Sequence, residues 1–173
     1  MTIAKPSSRK GTLLAVLSNP PTTNGMRTLQ RVKHAQETLG YSSMAIANVF
    51  ALPTYRTDGI ALAGVEPDGW LAARSSLTQA LASADAVILA YGCHEPSGPA
   101  RQHFRDQLEW LQAQLDARGL ATWMIDGRPR HPSRWHRHTH AQYPALTFAE
   151  ALPIALMDVT SATGEGRLTP PAR

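Results

Sequence analysis

The amino-acid sequence predicts a single-domain α/β protein with three layers, α/β/α, around a mostly parallel, four-stranded central sheet. Two observations favour this fold class. Short apolar runs alternate three times with stretches whose apolar residues recur at helical spacing, which is typical of βαβ units. Polar, proline-containing segments follow directly after the first and the last apolar run, as loops do at the carboxyl ends of parallel strands.

Four short apolar runs predict the strands of the sheet. Each run is rich in aliphatic residues and is followed by turn-forming residues, as expected of buried strands. The runs cover residues 13–17, 44–50, 86–90 and 120–125.

Three helices are predicted between these strands, because apolar residues recur there every three or four positions. Gly40 and Gly119 follow the first and the third helix and suit their carboxyl-terminal caps. The three apolar stripes are Leu29, Val32, Ala35 and Leu39; Trp70, Ala73, Leu77, Ala80 and Ala84; and Phe104, Leu108, Leu111 and Leu115.

The remaining segments are less regular. Residues 51–68 are predicted to form a long connection, and loops of this length are commonly functional. Residues 148–152 fit one or two helical turns before Pro153, and 154–159 fit neither period clearly. The folded domain is therefore assigned to residues 12–160, between a flexible leader (1–11) and a disordered tail (161–173).

Composition narrows the range of functions. The net charge of +4 comes largely from basic residues in the predicted tails, which argues against a general nucleic-acid-coating role. Four arginines between residues 128 and 137 form a local exception. Cys93 is the single cysteine, so an internal disulfide is impossible. No apolar run approaches the roughly 20 residues that span a bilayer, and a soluble, cytoplasmic protein without a membrane partner is expected.

Asn19, Asn48 and His131 are the polar residues that we single out at strand ends. Asn19 precedes two prolines, so it is either a turn-forming residue or an amide that orients a ligand. Asn48 interrupts an apolar run, and its amide needs either backbone partners or a ligand. His131 lies between two prolines, and it is either an exposed loop histidine or a positioned acid/base.

Further basic residues are candidates for contacts with phosphate. Arg27 lies at the expected start of the first helix, where it either binds phosphate or is simply solvated. His136, His138 and His140 would share one face of a strand and could then bind a metal. The interleaved Arg137 and the lack of a zinc-site spacing instead favour a basic loop that touches phosphate. We therefore expect no metal and no cofactor.

The order of several short motifs resembles an uncharacterised bacterial and phage family, catalogued as a domain of unknown function. Members of that family typically show L-N-P-S-T-A-D near the first strand, V-N-L-F-A at the second, W-G at the third and G-x-P-x-H-P after the fourth. The corresponding segments here lie at residues 18–22, 48–52, 91–92 and 127–132, and the resemblance extends over about 12–134. The family's D-P-T-I-R-R segment is shortened at residues 24–27 and lacks the aspartate.

The same residues are distantly similar to the uracil-DNA glycosylase superfamily, which implies a glycosylase-like fold. Asn19-Pro20, Asn48, Gly92 and His131-Pro132-Ser133 occur in the order of that superfamily's loops. The resemblance implies that Asn19 positions the attacking water, that Asn48 reads the base and that His131 stabilises the leaving base. The substrate-binding candidates are Pro20, Arg27, Asn48, Gly92, Arg130 and Ser133.

Three functions follow from these residues. The first is an enzyme that hydrolyses or transfers at the N-glycosidic bond of a nucleobase-containing substrate. The second is a non-catalytic module that binds a nucleotide or a nucleic acid. The third is a metal-dependent hydrolase built on His136, His138 and His140. The first predicts that Asn19, Asn48 and His131 meet in one pocket.

Overall fold

The structure is a computed structural model that describes residues 11–54 and 59–160. Its sheet has five strands in the order β2-β1-β3-β4-β5. The first four strands are mutually parallel, and β5 pairs antiparallel with β4. The strands are β1 (Thr12–Leu17), β2 (Ser43–Asn48), β3 (Ala86–Leu89), β4 (Ala121–Ile125) and β5 (Leu156–Asp158).

Six helices lie within the described part of the chain. Three of them connect the parallel strands where the apolar stripes predicted helices, and glycines with positive φ end α1 and α4. The helices are α1 (Met26–Leu39), α2 (Gly59–Ala63), α3 (Asp68–Ser83), α4 (Ala100–Arg118), α5 (Pro132–Gln142) and α6 (Phe148–Ala155).

The α/β class and the mostly parallel sheet are confirmed, but the predicted count of four strands is wrong. The missed strand is β5, which has three residues and begins directly after α6. Only Leu156 of its residues is buried, so the strand carries neither an apolar run nor an alternating pattern. Its pairing with β4 places Leu156 opposite Ile125 at the edge of the sheet.

Alternation along β1 divides the core between the two faces of the sheet. Leu14 and Val16 pack with residues of α3 and α4, including Leu77 and Leu111. The residues between them, such as Ala15, pack with residues of α1, α5 and α6 on the other face. Helices therefore cover both faces, as the predicted three-layer arrangement requires.

Two segments predicted as loops contain helices. The long connection over 51–68 contains α2, of which Ile60 is buried. The His/Arg-rich segment is not a loop but α5, whose first residue is Pro132. Proline suits this position because the first helical N–H has no intrahelical partner. The predicted leader, apart from Gly11, and the predicted tail lie outside the described residues.

None of the helices in the ranges 11–54 and 59–160 combines the length and the apolar character needed to cross a bilayer.

Gln107 joins the core of α4 to two other elements. Its side chain is fully buried, and Nε2 donates to the carbonyl oxygens of Val49 and Trp70, each at 2.9 Å. Its Oε1 accepts from Arg74 Nε at 2.9 Å. These bonds satisfy backbone acceptors at the end of β2 and in α3, where water is excluded.

We expect Gln107→Leu to lower the free energy of unfolding by about 2–4 kcal/mol, because two buried carbonyl groups lose their donor. Urea unfolding of the full chain measures this change. Gln102→Leu is the matched control on the same helix, since Gln102 is exposed and its side chain bonds Asp106 alone among the residues that the structure describes. Equal stability of the two variants would show that the buried amide contributes nothing specific.

Candidate functional site

The carboxyl ends of β1, β3 and β4 meet at one edge of the sheet, and a cavity of about 840 Å³ opens there. Asn19 follows β1, Gly92 follows β3, and Arg130, His131 and Ser133 follow β4; all five line the cavity. The volume lies within the roughly 300–1,000 Å³ of small-molecule sites. The topology thus brings together residues that are more than a hundred positions apart in sequence.

Three other predicted site residues are not among those that line the cavity. Asn48 is the last residue of β2, and its Oδ1 is buried without a hydrogen-bond partner in the described part of the chain. Arg27 is exposed in the first turn of α1, and Pro20 is half-buried beside Asn19. Their roles in substrate binding stay predictions.

One wall of the cavity is formed by α5 and the residues before it. Trp135 and Thr139 are buried on the opposite side of this helix, and Trp135 Nε1 donates to Arg130 O at 2.6 Å. This contact fixes the rotation of α5. The residues that consequently face the cavity recur at helical spacing: Arg130, His131, Arg134, Arg137, His138 and Ala141.

His131 caps the amino terminus of α5. Its Nδ1 accepts the N–H of Ser133 at 3.2 Å and lies 2.9 Å from Ser133 Oγ. Because an amide N–H can only donate, the neutral ring carries its proton on Nε2. Burial lowers the pKa of His131, and the charges of Arg31 and Arg134 lower it further. A neutral imidazole whose Nε2–H has no partner among the described residues therefore lines the cavity.

The helix separates the three alternating histidines. Successive alternate positions in a helix differ by about 200° of rotation, so the shared strand face expected for a metal site does not exist. His138 lines the cavity, whereas His136 stacks on Phe148 with ring centroids 3.9 Å apart and His140 is exposed. Within residues 11–54 and 59–160, no group of three potential metal ligands is found.

Asp126 and His138 form a pair that the sequence interpretation missed. Asp126 directly follows β4, and its Oδ2 lies 2.5 Å from His138 Nε2. Its Oδ1 accepts a hydrogen bond from Tyr143 OH at 3.0 Å. Asp126 has a φ of 46°, in the left-handed region that Asp tolerates better than most residues. A carboxylate directly after a predicted strand is a candidate site residue, but Asp126-Gly127 is equally well explained as a turn.

Asn19 is held by the segment that follows β2. Its Nδ2 donates to Leu52 O at 3.3 Å and to Thr54 Oγ1 at 2.9 Å. The carbonyl oxygen of Leu52 can only accept, which identifies the nitrogen side of the amide. Asn19 Oδ1 is therefore the end without a partner in the described structure. The contacts of Nδ2 stabilise the local fold, and the role of Asn19 towards a ligand stays a prediction.

An aromatic cluster forms the wall opposite α5. Trp70, Tyr91 and Phe104 line the cavity, and Phe104 contacts Trp70 and Tyr91 edge to face at centroid distances of 6.1 and 6.2 Å. Burial, with a smaller effect of Cys93, raises the pKa of Tyr91, so its hydroxyl stays protonated. All three side chains are almost completely buried, so this wall is apolar and presents only small parts of the rings to the cavity.

The charge of the cavity is dominated by arginine. Glu95 also lines it, but this carboxylate accepts two bonds from Arg105, at 2.8 and 3.0 Å, and lies near Arg101. The hydrogen bond from Arg105 lowers the pKa of Glu95. Arg134 and Arg137 have no carboxylate partner in the described ranges. The cavity therefore favours a ligand that carries negative charge.

His131 makes the stability of the chain sensitive to acid. Its pKa is lowered in the folded state, so protonation favours the unfolded chain. The free energy of unfolding should fall as the pH drops through about 6.5, the value for an unperturbed histidine, and the loss is complete below the lowered folded value. His131→Asn keeps a capping side chain and should lose less stability on acidification than the wild type.

Denaturant unfolding between neutral and mildly acidic pH measures this difference. His140→Asn, at an exposed position of the same helix, is the control and should follow the wild type. Parallel pH dependence of the wild type and His131→Asn would contradict the neutral, buried imidazole.

Residues 4–133 match the model of a family described as a protein of unknown function, DUF1643. No curated protein and no solved structure matches the chain. The match covers most of the chain and ends at the beginning of α5. The chain therefore belongs to the DUF1643 family.

Proposed function

We propose that the cavity binds a nucleobase-containing ligand and that the protein acts at its N-glycosidic bond by hydrolysis or transfer. The observation that carries this proposal is the convergence of Asn19, Gly92 and His131 from three strand ends on one cavity. The sequence resemblance to the uracil-DNA glycosylase superfamily supports it, because the matching loops occur in the same order. The aromatic side chains also give the cavity an apolar wall, which a nucleobase can contact.

His131 supplies the electrostatic part of the reaction. When the glycosidic bond breaks, the leaving base takes the electron pair and gains negative charge. The Nε2–H of His131 is the donor that this charge requires, and its Nδ1 is already held by Ser133. A fixed donor in a site with little water stabilises developing charge strongly.

Asn19 is suited to orient the attacking water. Its amide is held through Nδ2 by Leu52 and Thr54, so Oδ1 keeps a fixed position at the cavity. A water molecule that donates to this oxygen keeps a lone pair for the anomeric carbon. Positioning of this kind lowers the entropic part of the barrier.

Asn48 enters this proposal only as an expectation from the sequence resemblance, in which it reads the base. Its buried Oδ1 lacks a partner in the described residues, which is compatible with a ligand contact.

The substrate is identified by screening nucleobases, nucleosides, nucleotides and modified DNA by thermal shift, followed by product analysis of the hits. With a substrate that releases free base, His131→Asn should lower the rate by about 100–1,000-fold, as removal of an oxyanion donor does. Its thermal melting should stay near that of the wild type, because the helix cap is kept. His140→Asn is the control, and undiminished base release by His131→Asn would refute the assigned role.

The second candidate is a non-catalytic module that binds a nucleotide or a nucleic acid. It is favoured by the unpaired Arg134 and Arg137, and by Arg130, whose buried Nε has no partner in the described residues. Guanidinium groups without carboxylate partners are suited to phosphate.

If this second function is correct, the best ligand of the screen stabilises the fold by about 2–3 kcal/mol at a hundredfold excess over Kd, and no product forms. For a nucleic acid, the double variant Arg134→Ala/Arg137→Ala should reduce the salt dependence of log K by about one to two units. Arg118→Ala, at the exposed end of α4, is the control. Formation of a product would exclude the non-catalytic module and favour the enzyme.

A further inference from the structure

We propose that His138 is a second catalytic imidazole, which accepts the proton of the attacking water while Asp126 positions its ring. The inference rests on the proposed function, because it assigns a base to the same N-glycosidic reaction. It concerns a residue of α5 that follows the family match in sequence.

The hydrogen bonds of Asp126 determine which nitrogen of His138 is free. The carboxylate accepts from His138 Nε2 at 2.5 Å and from Tyr143 OH at 3.0 Å. His138 Nε2 therefore carries the proton, and the lone pair lies on Nδ1. Nδ1 has no hydrogen-bond partner in the described part of the chain. A histidine held by a carboxylate through one nitrogen is fixed in orientation and can act as a base through the other.

The two cavity histidines consequently have opposite capacities. His131 is held through Nδ1 and offers the N–H donor of Nε2, whereas His138 is held through Nε2 and offers the acceptor Nδ1. Both line the same cavity. One imidazole can therefore stabilise a leaving group, and the other can take a proton from a nucleophile.

The spacing of the two histidines suits this division. His131 and His138 are seven positions apart, which places them on one side of α5 with a rise of roughly 10 Å between their backbones. When water attacks one face of a sugar, the leaving group departs from the opposite face. The two catalytic groups must then lie on opposite sides of the sugar. In inverting glycosidases the separation of these groups is about 6.5–9.5 Å. A single ligand in the cavity can thus contact both rings at different ends.

The proposed step is hydrolysis of the bond between the sugar and the base. The oxygen of water forms a bond to the anomeric carbon as the carbon–nitrogen bond to the base breaks, and the base leaves with the electron pair. The water proton moves to Nδ1 of His138, and the resulting imidazolium is stabilised by Asp126. The base is stabilised by the Nε2–H of His131 and is then protonated by solvent. His138 finally returns its proton to solvent.

Several charged or ionisable groups surround His138. Asp126 contacts His138 directly, and Tyr143 donates a hydrogen bond to Asp126. Arg134 and Arg137 lie on the same wall of the cavity as His138. Glu95 lines the cavity from the segment after β3 and is paired with arginines of α4. Substitutions that test His138 must therefore leave these groups unchanged.

The experiment uses the full chain and three probes: deoxyuridine, deoxyuridine 5′-monophosphate and a single-stranded oligonucleotide with one deoxyuridine. With the probe that the wild type cleaves, His138→Gln should release base about 100-fold more slowly or worse. Thermal stabilisation by that probe should be unchanged. His140→Gln is the matched control on the same helix.

A second measurement, which reports the position of the proton on His138, does not depend on activity. Nitrogen-15 NMR of the imidazoles should show His138 protonated on Nε2 in the wild type and in Tyr143→Phe. Asp126→Asn can donate to the ring, and it should shift the proton to Nδ1 and slow base release as His138→Gln does.

The outcomes separate the two proposals. If the wild type releases base and His138→Gln does so at an equal rate, His138 is not the base and the proposed function stands. The proton-acceptor role is likewise overturned if wild-type His138 carries its proton on Nδ1. If the wild type releases no base from these probes or from any compound of the wider screen, the proposed function fails and the role of His138 fails with it.

Discussion

The burial of Trp135 beneath α5 is the contact on which the candidate site depends. Its indole is fully buried and donates to the carbonyl group of Arg130, which ties the helix to the residues that precede it. Thr139, one turn further along, is buried on the same side. With that side fixed on the sheet, the opposite side of α5 can only face the cavity. The burial of Trp135 therefore decides which residues of α5 face the cavity, and contacts with Ser133 and Asp126 then orient the rings of His131 and His138.

The sequence predicted most of the sheet and part of the site, because both leave local signals. Buried strands appear as short apolar runs, and residues such as Asn19 and His131 lie in the polar segments that come after them. The alternating histidines misled, because their two-residue period is that of a strand whereas the segment is helical. Pro132 at the first helical position, with Trp135 and Thr139 four residues apart, was the better signal. The strand β5 is too short to show a period.

The partnership of Asp126 with His138 was beyond sequence reasoning for a different reason. Each residue alone fits an ordinary role, an aspartate before glycine in a turn and a histidine in a basic segment. What distinguishes them is a contact across twelve positions that exists only when α5 packs beside the end of β4. The same applies to Glu95, whose charge would oppose an anionic ligand if Arg101 and Arg105 did not neutralise it from α4.

The positive φ at position 126 favours glycine, whereas the contacts made from this position require the aspartate side chain. With φ at 46°, the position costs a non-glycine residue on the order of 1 kcal/mol or more, and glycine would suit it better. Yet glycine would remove the carboxylate that contacts both His138 and Tyr143. Selection for thermal stability alone would therefore favour Asp126→Gly, which relieves the backbone strain of the turn but leaves His138 without its carboxylate partner. An aspartate retained here during such selection would indicate that the chain is under a requirement other than folding.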